Sequence, residues 1–332
     1  MKRSMLAVLT VTVLSFLAAP FVEAADPIKA SLISGGTRLA NLQNPDGGWF
    51  FIVGDTDCGA GPGASCRNTF GVTGLGLIDA FKITKKAVMK TKALETGDAL
   101  VARYQSEGCT PLPITVDLSF LVSLSSIAGN ASYRNQGAAT WTCITQAFPS
   151  GAARADDRIN RRITQGLNNL GAWDAAFDVN AALDVLGQKN YALAELAQVF
   201  ARQVDWDVND PNCQDCETLS KANLLNAMFR VKGATLTIKN KVTEYLNDLL
   251  AEQLPDGSWN GDTQITSYAV MALDLYRAQG SLAMRASIKA AIDAGAANLL
   301  NQQLGNGGYD DGFGNEVTEV DSEVLQALAA AH

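Results

Sequence analysis

Histidine is nearly missing from this 332-residue chain, and its one copy is His332, the last residue. Ser-His-Asp and Cys-His nucleophile systems therefore lack their base. Paired strands are not signalled either, because no stretch alternates apolar and polar residues between hairpin turns. Basic residues are the minority, 26 against 34 acidic for a net charge of −8. A phosphate-binding surface needs the opposite sign, which removes nucleic acid as a partner. Past the first 25 residues no apolar run approaches the ~20 residues of a membrane span.

Those first 25 residues read as a secretory signal peptide. Lys2 and Arg3 form a positive start, Met5 to Ala19 an apolar run, and Val22-Glu23-Ala24 a cleavage site. Without them 24 basic residues face 33 acidic ones, a net charge of −9. The expected product is exported, periplasmic or secreted, with residues 26–332 as a single domain. Six cysteines in an exported chain imply disulfides. The expected pairs are Cys58–Cys66, Cys109–Cys143 and Cys213–Cys216. A redox reading of Cys213-Gln214-Asp215-Cys216 lacks the βαβ context it needs. A four-thiolate zinc site lacks a second such pair.

One stretch is written several times. Gln43-Asn44-Pro45-Asp46-Gly47-Gly48-Trp49 returns as Gln253-Leu254-Pro255-Asp256-Gly257-Ser258-Trp259, and as Gln303-Leu304-Gly305-Asn306-Gly307-Gly308-Tyr309. A worn copy ends at Gly171-Ala172-Trp173. Helical apolar periodicity flanks each copy, and repeats at hairpin spacing signal an array of supersecondary units. Six helical hairpins are expected: 28–43 with 68–84, 91–106 with 114–129, 154–169 with 174–187, 190–204 with 216–231, 236–252 with 262–279, and 285–303 with 316–331. An irregular insertion is expected near 131–150. The fold class is all-α.

Gln-x-x-x-Gly-x-Trp after a helix resembles the repeat motif of the terpene cyclase and protein prenyltransferase superfamily, over most of the chain. The resemblance implies an α/α toroid with inner and outer rings of helices. It also implies that Gln43 with Trp49, and Gln253 with Trp259, cap helices and tie neighbouring hairpins. The superfamily's chemistry is not carried over so readily. No Asp-x-Asp-Asp motif exists, only the bare pairs Asp310-Asp311 and Asp156-Asp157. A prenyltransferase zinc site would need a histidine within the domain, and the Cys-Gly-Glu-Gln of thioester toroids is missing.

In closed toroids the inner helices begin around a common mouth. That analogy places Thr73, Asp117, Ser119, Asp178, Asn180, Thr218, Ser220, Thr266, Ser267, Glu319 and Asp321 there. Two of Asp117, Asp178, Glu319 and Asp321 could act as acid and base on a glycan. The same residue types also favour helix N-termini for capping and dipole reasons, and that simpler role is expected to account for most of them. Thr73, Asn180, Ser220, Ser267 and Trp206 are the candidate ligand contacts. Asp205, Asp207 and Asn209 follow calcium-loop spacing. Asp210 replaces the needed glycine and Glu217 falls one place late, so a braced surface loop is expected, with calcium as the alternative. The functional expectation is a binding module for an isoprenoid, lipid, glycan or protein partner. The alternative is a glycan-active acid–base enzyme, and an isoprenoid cyclase ranks last.

Overall fold

The computed structural model describes residues 26–59, 61–207, 216–231 and 235–332. The signal-peptide segment, Cys213 and Asn209 lie outside these residues. Fourteen helices are described: α1 (Pro27–Asn41), α2 (Thr69–Thr84), α3 (Ala87–Glu107), α4 (Thr115–Ala128), α5 (Ala131–Ala147), α6 (Gly151–Thr164), α7 (Leu170–Leu186), α8 (Lys189–Ala201), α9 (Gln203–Trp206), α10 (Cys216–Arg230), α11 (Leu236–Glu252), α12 (Thr263–Tyr276), α13 (Leu282–Asn301) and α14 (Thr318–Ala331). Helices α2, α4, α7, α10, α12 and α14 each pack on the next, and α14 packs back on α2. They form a closed inner ring with the other long helices outside it, an α/α toroid.

The expected irregular insertion is a regular helix. Asn130 caps α5 by accepting from Ser132 N at 3.0 Å. Tyr133, Gly137, Trp141 and Ile144 give it a buried face. The glycine and threonines along that face mute the apolar pattern. Helix α5 packs on α4 and α7 as the outer partner of that sector. Helix α6 is then a surplus outer helix, seated on α7 and α8.

The repeated motif builds a joint of the same design three times. Within it, Gln43, Gln253 and Gln303 donate from Nε2 to Gly47 O, Gly257 O and Gly307 O at 3.0–3.2 Å. Each amide also reaches a carbonyl of another outer helix: Lys92 of α3, Ala291 of α13 or Ser31 of α1. These carbonyls lie inside the helices, so the glutamine laces hairpins together without capping a helix end. The indoles of Trp49 and Trp259 hold the end of the preceding helix, donating to Leu39 O at 2.8 Å and Leu249 O at 2.7 Å. Tyr309 instead bonds the Ser31 hydroxyl at 2.8 Å. Asp46, Asp256 and Asn306 close the turn onto the amide two residues on.

Glycine is required at the centre of this joint. Gly47, Gly257 and Gly307 have φ of 84°, 88° and 98°. A Cβ at Gly257 would stand 2.3 Å from Ala294 O on α13. Trp173, taken from the sequence as a fourth copy, lies inside α7 and makes no such joint. Trp206 does the equivalent work there, fully buried and donating to Val199 O at the end of α8. It is a packing residue without access to a ligand.

Two expected disulfides are present, Cys58–Cys66 and Cys109–Cys143. No helix among the described residues is long and apolar enough to cross a membrane.

Gly257→Ala is expected to lower unfolding free energy by about 2–3 kcal/mol, through left-handed strain and the clash with α13. Gly305→Ala, where a Cβ meets nothing within 4 Å, should change it by less than about 0.5 kcal/mol. Denaturant titration of both variants checks the pair, and equal losses would contradict this account of the joint.

Candidate functional site in the ring cavity

The ring encloses a cavity of about 580 Å³ to which all six inner helices contribute. On α7 the lining residues are Phe177, Asn180 and Asp184, and on α10 they are Asn223, Asn226 and Arg230. Spacings of three and four keep each set on one helical face. Ser119 and Ser123 come from α4, Tyr268 and Met271 from α12, and Gln326 from α14. The cavity runs from the middle of the inner helices to their C-terminal ends. There Arg230 pairs with Asp184 and the Asp79 carboxyl also lines the wall.

Amides, hydroxyls and aromatic rings share this wall with the aliphatic side chains of Val72, Leu75, Val116, Met271 and Leu275, and more of it is apolar than polar. Trp173, Phe177 and Tyr268 form an edge-to-face cluster with ring centroids 4.8, 6.1 and 6.4 Å apart. Ser119 Oγ and Asn180 Oδ1 are buried without a protein partner. Such groups are costly unless something pairs with them, and they are places where a bound polar group would be favoured.

Toward the N-terminal ends the ring narrows. Val72, Asn223, Tyr268 and Glu323, from four different helices, are only 1–4% exposed. Glu323 accepts from Gln264 Nε2 at 2.9 Å, and its Oε1 has no partner. Burial and then the neighbouring Glu319 push its carboxyl well above the usual range. Burial also raises Glu319 to about 7. One turn apart on α14, the two share the face that carries Gln326 into the cavity. A protonated carboxyl at this constriction can donate a hydrogen bond or a proton near neutral pH.

The other expected rim carboxylates are not gathered there. Asp117 joins three helices, accepting from Gly71 N of α2 at 2.8 Å and from Arg103 and Tyr104 of α3 at 2.5 Å. Burial raises its carboxyl against the opposing pull of Arg103. Asp178 accepts from Arg154 and Arg158 at 2.7–2.9 Å. Burial opposes its ionisation, yet Arg158 and then Arg154 hold the carboxyl below the usual range. Asp321 accepts from Tyr309 N at 2.7 Å, and burial raises it to about 8. These three are ties between elements, and none lines the cavity. Among the expected ligand contacts, Asn180 lines it. Ser220 instead donates to Asn169 O and Ser267 to Thr263 O, while Thr73 is buried without a partner. Asp205 and Asp207 engage Arg202 and Gln203. Among the described residues no group of three or more His, Cys, Asp or Glu is placed to hold a metal.

Sequence reasoning missed Glu323, Tyr268, Asn223 and Phe177. A signal existed, because Trp173, Phe177, Asn180 and Asp184 share one face of α7. It went unused because Trp173 was assigned to the repeated motif.

No family model matches this sequence, and no curated protein matches it either. Solved structures do. The GH76A alpha-1,6-mannanase from Salegentibacter sp. superposes with TM-score 0.62 at 10% identity, covering 92% of this chain and 98% of its own. The type II terpene cyclase MstE from Scytonema gives 0.60 at 14% identity, covering 92% and 98%. An unsaturated glucuronyl hydrolase from Streptococcus agalactiae gives 0.58 at 13% identity, covering 92% and 90%. At such identity the likeness shows the α/α toroid fold, shared by glycan hydrolases and a terpene cyclase.

Asp321→Asn keeps an acceptor for Tyr309 N and removes a proton that the folded state retains. With a folded pKa of about 8 against ~3.9 unfolded, parent stability falls as pH rises through that window. The variant should therefore gain on the parent between pH 5 and pH 8, by about 1 kcal/mol or more. Thermal melts at the two pH values check this, and a pH-independent difference would contradict it.

Proposed function

We propose that this toroid binds a short neutral glycan in its ring cavity. The observation carrying the proposal is the lining itself: amides of Asn180, Asn223, Asn226 and Gln326 beside the rings of Phe177 and Tyr268. Amides and hydroxyls exchange hydrogen bonds with sugar hydroxyls, and aromatic faces stack on the apolar faces of sugar rings. An isoprenoid would leave Ser119, Asn180 and their neighbours desolvated and unpaired, at about 1–3 kcal/mol for each group. Export fits this reading, since the two disulfides are compatible with an extracellular protein.

A second reading is favoured by the carboxyl pair at the constriction. Glu323 and Glu319 sit beside Tyr268, where a glycan in the cavity would present its inner end. In that reading one carboxyl protonates the leaving oxygen of a glycosidic bond, and the other, ionised, steers a water onto the released carbon.

Calorimetric titration with di- to tetrasaccharides tests the binding proposal. Asn180→Ala and Asn226→Ala should each weaken the best ligand by about three- to tenfold, the worth of one neutral hydrogen bond. Binding of isoprenoid alcohols or a protein, with no response to any sugar, would sink it. Hydrolysis of the bound sugar, lost in Glu323→Gln with binding retained, would establish the second reading.

A further inference from the structure

Away from the ring cavity, the surplus helix α6 faces the connection between α3 and α4 across a cleft of about 290 Å³. One wall is Pro111, Leu112, Pro113 and Ile114; the other is Arg154, Arg158 and Arg161 of α6. The apolar wall is rigid for identifiable reasons. Two prolines fix their own φ and carry no N–H. The Cys109–Cys143 disulfide ties the segment to α5 just before it, and Ile114 N is held by the Tyr104 hydroxyl at 3.2 Å.

The arginine wall is equally constrained. Arg154 is 2% exposed and lies over the Phe148 ring, 4.9 Å from its centroid. Its Nε bonds Asp178 at 2.7 Å and its Nη1 bonds Asp157 at 3.2 Å. Arg158 grips Asp178 through Nε and Nη2 at 2.8 and 2.9 Å. Arg161 bonds Asp157 through Nη2 at 3.0 Å. Among the described residues, Nη2 of Arg154, Nη1 of Arg158 and both Nε and Nη1 of Arg161 remain without an acceptor. The N-terminus of α4, beginning at Thr115, adds a partial positive charge at the same end of the cleft.

The arginines around α6 are balanced by carboxylates. The four arginines of α6, with Arg162 gripping Asp174 at 2.7 Å, face the three carboxylates Asp157, Asp174 and Asp178. Arg202 is shared between Asp156 and Asp205. Glu195, from α8, is fully buried with both oxygens unpartnered, and burial followed by the Asp178 charge pushes it toward the neutral acid. Five arginines thus meet five carboxylates besides Glu195, so an anion in the cleft would be held by the unfilled guanidinium donors and not by a surplus of charge.

We propose that this cleft is a binding site for a small organic monoanion, a carboxylate borne on a compact apolar group. The carboxylate takes the spare guanidinium donors, whose fork geometry suits two oxygens. The apolar group lies on the proline–leucine wall. The site is independent of glycan binding, since it shares no lining residue with the ring cavity.

Calorimetry with benzoate, benzyl alcohol and inorganic sulfate tests the proposal. Benzoate should bind one to one and raise the melting temperature, while the neutral alcohol should not bind. Arg161→Gln should weaken benzoate about tenfold, the worth of one charge-assisted hydrogen bond. Leu112→Ser should weaken it about three- to tenfold through lost apolar contact. Arg161 is half exposed, with Asp157 as its ion-pair partner, so Arg161→Gln should melt as the parent does without ligand. Absence of benzoate binding up to about 20 mM, an affinity unchanged in both variants, or equally tight binding of the alcohol or of sulfate would each overturn the proposal.

Discussion

A ring of helices depends on fixing its last hairpin to its first. An open array leaves two apolar flanks in water, whereas a closed one leaves none. Here the seam between α13–α14 and α1–α2 is the most heavily laced part of the molecule. Gln303 reaches Ser31 O, Tyr309 bonds the Ser31 hydroxyl, and Arg38 grips Glu316 through two bonds of 2.8 and 3.0 Å. Thr318 pairs with the 50–51 backbone. His332 meets Asp26 at 2.9 Å, so the chain's only histidine also bridges the seam. The third copy of the repeated motif serves this closure, with the Tyr309 hydroxyl on Ser31, while the other two copies lace neighbouring hairpins elsewhere in the ring.

The same constraint explains why Asp117, Asp178 and Asp321, near the start of inner helices, serve as ties between elements. Helices α2, α4, α7 and α14 begin without a side-chain cap of their own. Orphan N–H groups packed this tightly must be satisfied from elsewhere. Asp117 of α4 serves Gly71 of α2, and Asp321 of α14 serves Tyr309 of the joint before it. The capping role expected from residue type is real, but it runs between elements. Asp178 has become the buried anchor of an arginine pair, and losing it would leave the Arg154 and Arg158 charges without their shared partner.

Legibility in the sequence followed how local each feature was. The joints could be read because Gln, Gly and the aromatic ring lie within seven residues and the backbone at Gly47, Gly257 and Gly307 admits little else. The Cys58–Cys66 pair was readable as two neighbours in one loop, whereas Cys109 pairs with Cys143 inside α5, where an irregular segment was expected. Helix α5 was obscured because small and hydroxyl residues carry its buried face. Trp173 misled because Gly171-Ala172-Trp173 mimics the end of a joint while lying on α7. The cavity was hardest to read, since it is made of one face from each of six helices and no local pattern registers Tyr268 against Glu323.

Toroids of this fold include glycan hydrolases and a terpene cyclase, so the fold leaves the ligand class open. What separates the possibilities is the polarity of the ring's inner face. Packing around the ring is settled by the faces that helices turn to each other, where Gly71 and Gly76 admit Asp117 and Ser322 at close approach. The cavity face carries less of that duty, through the Arg230–Asp184 pair and the contact of Phe177 with Tyr268. Polar atoms held without a partner, as at Ser119 and Asn180, reduce stability unless something pairs with them. The glycan reading proposed above rests on such groups, Ser119 Oγ and Asn180 Oδ1, which find no partner among the described residues.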